Sequence, residues 1–484
     1  MNKGLTLVEK AKPSKKTAIG LALIAVLAVI IMTVPDALGV AISPALNLTS
    51  RVLLSVYVVL SFEIVHRTAI ALAGAAAVII IGVSTGIFEA GASFEFVTES
   101  IDFNTIGLLL GMMIIVAIMA ETGVFQYLAV RMSKASRGNM WKLLVMMTVF
   151  TAVASMFIDN VTTVLLMVPV TISIFRVFRL SPAPFILAQV LASNVGGPAT
   201  LIGDPPNILI GSAANIDFNA FIVNMGPSIA VTLAASLFLM KFMFRKDLAQ
   251  KPENLDQLMA QDVKSLITDR GAMKKSLIVL AGVIALFVVH GSLHVEPSLI
   301  ALGGAGILLV ITRAKPEKVF HDVDWSKLIF FAGLFVIISG AEEAGMIDLL
   351  SNAALGITGG NPWSTFFLII WMAAIASSFV DNIPFAATMI PLIPVLSQNG
   401  GIAAAFGGID ISPLWWALAL GVGLGGNGTL IGSSAGVVAT GLAEKSGHPI
   451  SFNRFMRVGF PFMIATVAIG SIVLTVDVLL RMGT

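Results

Sequence analysis

Two short stretches carry the same message in different halves of the chain: Phe157-Ile158-Asp159-Asn160 and Phe379-Val380-Asp381-Asn382. Each Asp-Asn pair interrupts sequence apolar enough for lipid, where a charge at a helix centre costs roughly 2.5–3.5 kcal/mol on insertion scales. A chain that bears this cost twice, at matching places, is using both acids. Asp159 and Asp381 are therefore the first candidates for an ion or substrate site.

The surroundings are membrane-like throughout. Of 484 residues, 57% are hydrophobic and 12% charged, against roughly 25% charged in soluble domains. Stretches such as 17–34, 70–88 and 221–240 are nearly free of charge and long enough to cross a core of ~30 Å as helices. Ten-residue alternating strands are absent, which argues against a barrel. The chain reads as an all-α polytopic membrane protein. Having no cysteine, it forms no disulfide and no thiolate site for a soft metal. The lysine-rich start leads into a segment without an A-x-A cleavage site, so a retained first helix is expected rather than a cleaved signal peptide.

Helices are expected near 17–40, 50–65, 68–88, 104–130, 184–214, 219–244, 275–294, 296–313, 324–350, 411–442 and 455–481. Regions 139–180 and 363–397 each hold an Asp-Asn pair mid-way and read as re-entrant hairpins. Segment 245–274, with charges from Lys246 to Arg270, is a soluble linker. The expected divisions are thus a tail and first helix over 1–49, a first repeat over 50–244, the linker, and a second repeat over 275–484. With a cytoplasmic N-terminus and both hairpins returning to the side they left, all of the 29 basic residues except Arg51 and Arg481 fall inside. That satisfies the positive-inside rule and predicts a multi-pass protein of the plasma membrane. Arg51 then lies on the outer side, near the formal glycosylation sequon Asn47-Leu48-Thr49.

Adding 222 to a residue number maps one half on the other without a gap: Asp102 to Asp324, Glu121 to Glu343, Ser155 to Ser377, Asp159 to Asp381 and Asn160 to Asn382. After a loop insertion, the Gly-Gly-x-x-Thr-Leu-Ile-Gly run at 196–203 matches that at 425–432. Under the topology above the two hairpins open from opposite sides. The repeats are then inverted, the architecture of alternating-access transporters.

The glycine runs cannot be uninterrupted helix without a large propensity loss. Unwound backbone is tolerated in a membrane only where it is buried or lines a watery cavity. There it offers carbonyls to cations and half-helix N-termini to anions. Hence the candidate binding set is Asp159, Asn160 and Thr163 with Gly196, Gly197, Thr200, Asp204 and Asn207 in the first half. The second half supplies Asp381 and Asn382 with Gly425, Asn427, Thr429 and Ser433, and Ser434 beside it. Asp159, Asp381, Asp204, Glu121 and Glu343 are candidates for proton coupling. Competing structural readings are close helix packing for the glycines, capping for Asn160 and Asn382, and an N-cap for Asp204 in Gly-Asp-Pro-Pro. Asp204 has no acidic counterpart, because Ser433 takes its place. Glu63, His66 and Arg67 read as a local ion-pair anchor. His290 and His294 have i, i+4 spacing but no third ligand, so no metal site is expected.

At these residues the chain resembles the ArsB/NhaD permeases of the ion transporter superfamily, close to their pigment-permease-like and arsenical-pump branch. The residues that carry the likeness are 157–160, Gly203-Asp204-Pro205-Pro206-Asn207, Phe379-Val380-Asp381-Asn382-Ile383-Pro384-Phe385 and 425–436. The resemblance implies about eleven transmembrane helices, two opposed hairpins, a scaffold with a mobile transport part, and a homodimer. For an arsenical pump it also implies a partner ATPase. In related dicarboxylate symporters the hairpin tips carry Ser-Asn-Thr. Aspartate in place of that serine puts negative charge where an anion would bind, and argues for a proton, a cation or a neutral polyhydroxy solute.

The expected function is proton-coupled antiport exporting arsenite or antimonite, with sodium/proton antiport as the alternative. Either would draw on a transmembrane proton or sodium gradient and needs no cofactor. No enzyme activity and no nucleic-acid partner are expected; the partners are the lipid bilayer and a small inorganic solute or cation. An intramembrane aspartyl protease is a remote alternative, opposed by the lack of Gly-x-Gly-Asp and Tyr-Asp signatures. A passive channel needs no inverted repeat.

Overall fold

The computed structural model describes residues 43–482 apart from 63 and 408. The expected first helix at 17–40 and Glu63 of the anchor group lie outside the described residues. All regular structure among those described is helical, and ten helices are long and apolar enough to cross a membrane. The described residues form two compact units, one of residues 43–100 with Gly333–Met346, the other of Ile101–Ala332 with 347–482.

In the smaller unit, α1 (Pro44–Ser61) starts earlier than hydropathy indicates. Ser43 accepts from the Leu46 amide at 3.1 Å and Pro44 occupies the first helical turn, where its missing N–H is harmless. The sequon therefore falls inside the helix. Arg51 lies within α1, and Thr49 of the sequon is buried with its hydroxyl on the Ala45 carbonyl at 2.8 Å. The next helices are α2 (Arg67–Thr85) and α3 (Ser93–Ser100). Small residues set the packing here: a β-carbon on Gly333 would lie 2.9 Å from the Ala71 carbonyl carbon.

In the larger unit, α4 (Phe103–Glu121) is capped by Asp102, whose carboxylate accepts from the Asn104 and Thr105 amides. The expected helix over 104–130 breaks at Gly123, in the left-handed region at φ 78°, and resumes as α5 (Val124–Ser136). A side chain there would collide with the Leu266 carbonyl oxygen at 2.0 Å. The first hairpin comprises α6 (Met140–Phe157) and α7 (Asn160–Phe178), joined through extended backbone at Ile158 and Asp159. Then α8 (Ala183–Gly196) and α9 (Pro205–Ala214) flank the first glycine break, and α10 (Phe218–Met243) completes the half.

The linker is strapped to that half rather than free. Thr268 donates to the Glu121 carbonyl at 2.6 Å, Glu253 donates its amide to the Phe178 carbonyl at 3.1 Å, and Lys134 reaches the Met259 and Gln261 carbonyls.

The second half repeats the order. It runs α11 (Arg270–Leu293), α12 (Pro297–Thr312), α13 (Trp325–Glu343) and α14 (Met346–Thr358), then α15 (Pro362–Phe379), whose end opens the second Asp-Asn tip. Its second arm is split by Pro391 into α16 (Asn382–Met389) and α17 (Leu392–Ser397). α18 (Pro413–Gly425) and α19 (Ser434–Lys445) flank the second glycine break, before α20 (Phe452–Met482).

Candidate functional site

The glycines and threonines of the breaks serve to dock each break on a hairpin arm, and they do so twice over. A β-carbon on Gly196 would lie 2.1 Å from the Ala152 carbonyl oxygen, and one on Gly425 would lie 2.6 Å from that of Ala374. Gly197 sits close to the Gly203 carbonyl oxygen in the same way. Ser155 donates to the Ser193 carbonyl at 2.8 Å, and its repeat mate Ser377 donates to the Val422 carbonyl at 3.0 Å. Thr200 donates to the Met156 carbonyl and Thr429 to the Ser378 carbonyl, again mates. Asn207 closes the first break by donating to the Thr200 carbonyl at 2.8 Å, and Thr163 donates to the Ile158 carbonyl at 3.2 Å. These six residues hold the tips and breaks in register.

What they hold together is a convergence of four helix N-termini. Asp159 caps α7, accepting from the Thr162 amide at 3.3 Å, and Asp381 caps α16, accepting from the Ile383 amide at 3.1 Å. Ser433 caps α19 by accepting from the Gly436 amide at 3.3 Å. Asp204 occupies the N-cap position of α9, yet its side chain makes no capping bond. The reason is local: Pro205 and Pro206 have no N–H to donate, and the Asn207 amide bonds instead to the Asp204 backbone carbonyl at 2.9 Å. The carboxylate is therefore free to face the centre.

There it becomes the shared acid. Asn160 of the first tip donates to it at 3.2 Å, and Asn382 of the second donates at 3.3 and 3.2 Å to its two oxygens. Asp204 is 1% exposed. Asp159 and Asp381 do not pair with each other: the two asparagines meet on Asp204, and each tip aspartate has its own partner. Asp159 accepts from the Lys327 ammonium at 2.8 Å, with the lysine side chain 1% exposed. Asp381 accepts from the Ser434 hydroxyl at 2.5 Å.

Two members were missed in the sequence. Lys327 lies in the first turn of α13 behind the cap Asp324, and its repeat mate is Thr105, so symmetry gives no hint of it. Asn194 bridges the halves, accepting from Asn160 at 3.3 Å and donating to Asn427 at 3.1 Å and Ser433 at 2.9 Å. Its signal was a buried Ser-Asn pair just before the glycine break. The outlying acids fall elsewhere. Glu121 bonds Lys318 at 2.8 Å near the end of α4, and that hydrogen bond and charge hold the lysine above its usual range. Glu343 is exposed in the smaller unit. His290 accepts from the Phe218 amide at 3.1 Å.

The centre thus sets three carboxylates against one ammonium, with helix N-termini and amides around them. The family model described as "Citrate transporter" matches residues 57–421. The chain belongs to that family. It is 39% identical over 423 residues to an uncharacterised transporter of Mycobacterium tuberculosis, spanning 87% of this chain and 96% of that one. It is 34% identical to the mouse P protein over 90% of this chain, which spans 60% of that protein. Among solved structures, the YdaH transporter of Alcanivorax borkumensis superposes with a TM-score of 0.56 over 85% of this chain and 98% of its own, at 15% identity. That likeness shows the fold. The chain is a multi-pass membrane transporter and not an enzyme.

Proposed function

We propose that this transporter is a proton-coupled antiporter working by alternating access, and that its exchanged cargo is a small cation, sodium first. One observation carries the reading: Asp159, Asp204 and Asp381 cluster with a single ammonium, Lys327, among the described residues of the site. Fully ionised, the centre holds two uncompensated negative charges where unpaired charge is expensive. Protons or a bound cation relieve that excess, and competition between them for the same oxygens is what couples their fluxes. The oxygen-rich lining suits a hard cation.

A second reading keeps arsenite as the cargo, which the ArsB/NhaD resemblance implies. The amides of Asn160, Asn194, Asn382 and Asn427 converge here, and they suit an uncharged trihydroxy molecule, but they leave the carboxylate excess to protons alone. Citrate, the cargo in the family's name, would bring further negative charge to an acidic centre and so would need a cation beside it. Proteoliposomes with an imposed pH gradient separate the three. Sodium-stimulated proton flux without arsenite or citrate uptake is the expected result. Arsenite- or citrate-driven proton flux that ignores sodium overturns it.

A further inference from the structure

Helix α4 is anchored along one side and open along another. On the anchored side Gly111 meets α12 so closely that a β-carbon would lie 2.5 Å from the Ala301 carbonyl carbon, and Ile115 reaches toward Gly304. On the other side Asn104, Leu108, Met112, Val116 and Ala120 follow one another at four-residue steps, which stacks them in a single row. Three cavities share that row. At the C-terminal end of α4 lies one of about 410 Å³, walled by Glu121, Asp159, Asp322, Asp324 and Lys327. At the N-terminal end lies another of about 460 Å³, walled by Asp217, His290, His294 and Glu296. Between them is a neck of about 20 Å³, room for about one water.

The neck has walls in common with both chambers. It shares Met113, Val116, Asp159 and Thr162 with the first, and Leu108 and Ile208 with the second. The remainder of its wall is apolar, including Met112, Ile158 and Ile202. A 19-residue helix rises about 28 Å, so the chambers stand at opposite ends of a membrane-length element.

We propose that cations cross this protein along that face of α4, between two acid-lined chambers, through an apolar neck whose one charged wall residue among those described is Asp159, gated by its pairing with Lys327. The cation class rests on the antiport reading above; the route does not. Charged groups facing Asp159 are Lys327 at 2.8 Å, Asp204 in the buried centre, and Glu121, Asp322 and Asp324 across the first chamber. Lys318, bonded to Glu121 at 2.8 Å, is the cation nearest that acid. An approaching cation competes with the Lys327 ammonium for Asp159, while the narrow neck refuses a fully hydrated ion until the hairpin and break shift.

The chain has no cysteine, so single thiols report access directly. Four full-length variants are labelled in right-side-out and inverted vesicles with a cationic, membrane-impermeant thiosulfonate: Ala117→Cys in the first chamber, Ser212→Cys in the second, Met112→Cys in the neck and Ile115→Cys against α12. Ala117→Cys and Ser212→Cys are expected to label from opposite faces of the membrane. Met112→Cys should label about tenfold faster than Ile115→Cys, as an accessible thiol outpaces a buried inert one, and sodium should slow it. Labelling of the two chamber thiols from the same face overturns the route. So does a neck thiol as slow as Ile115→Cys in protein that elutes as a single folded species. Labelling as stated but indifferent to sodium overturns the cation cargo and leaves the route standing.

Discussion

Asp204 shows how a single residue acquires its role from its neighbours. An aspartate before a helix ordinarily spends its carboxylate on the N2 or N3 amide; two prolines remove that option and turn it inward to Asn160 and Asn382. Asp204→Asn keeps the shape but removes the charge that both hairpin tips grip. Proton-coupled flux should fall to the protein-free background while the variant still purifies as folded protein. Wild-type flux would show that the shared acid is dispensable.

Lys327 alters what the tip variants mean. Removing one member of a buried ion pair costs about 3–5 kcal/mol because the other is left uncompensated. Asp159→Asn strands a buried lysine, and Lys327→Met leaves an unpaired Asp159; each should lower the melting temperature in detergent markedly. The double variant, which strands nothing, should recover most of the loss. Full additivity of the two single losses would refute the pairing. Asp381→Asn keeps its neutral partner Ser434, so it should lose coupled flux with little loss of stability.

At the scale of elements, the two breaks are docking devices before they are binding loops. Gly196→Ala puts a methyl 2.1 Å from a backbone oxygen in α6, and backbone gives way far less readily than a flexible side chain. The expected result is a large loss of folded protein. Gly303→Ala, with open space around its site, should fold normally and even gain helix stability. Equal yields from both would mean that the break is loosely packed. The strapped linker belongs to this scale too: it donates to carbonyls at the ends of α4 and α7 and accepts from Lys134 of α5, and Gly123 makes room for it.

For the whole molecule, the basic residues bear on orientation. Their near-complete segregation predicts that the linker faces the cytoplasm. Trypsin should then cut near Lys251 and Arg270 in inverted vesicles and spare them in right-side-out ones; cleavage only in the latter would reverse the topology. Arg51 and Lys327 are helix residues, so the expectation rests on the large linker and loop clusters.

Membrane class, helix order, the repeat and the breaks were legible in the sequence because each is written in local terms: hydropathy over some twenty residues, glycine and proline where helix must stop, and a constant offset of 222 between mates. The tip acids were legible as well, since charge in an apolar run stands out whatever surrounds it. Asp204 as the common acid, Asn194 as the bridge and Lys327 as the resident counter-ion were decided only in three dimensions. Each depends on which side chains converge from segments 34 to 239 residues apart, and no local pattern encodes that meeting.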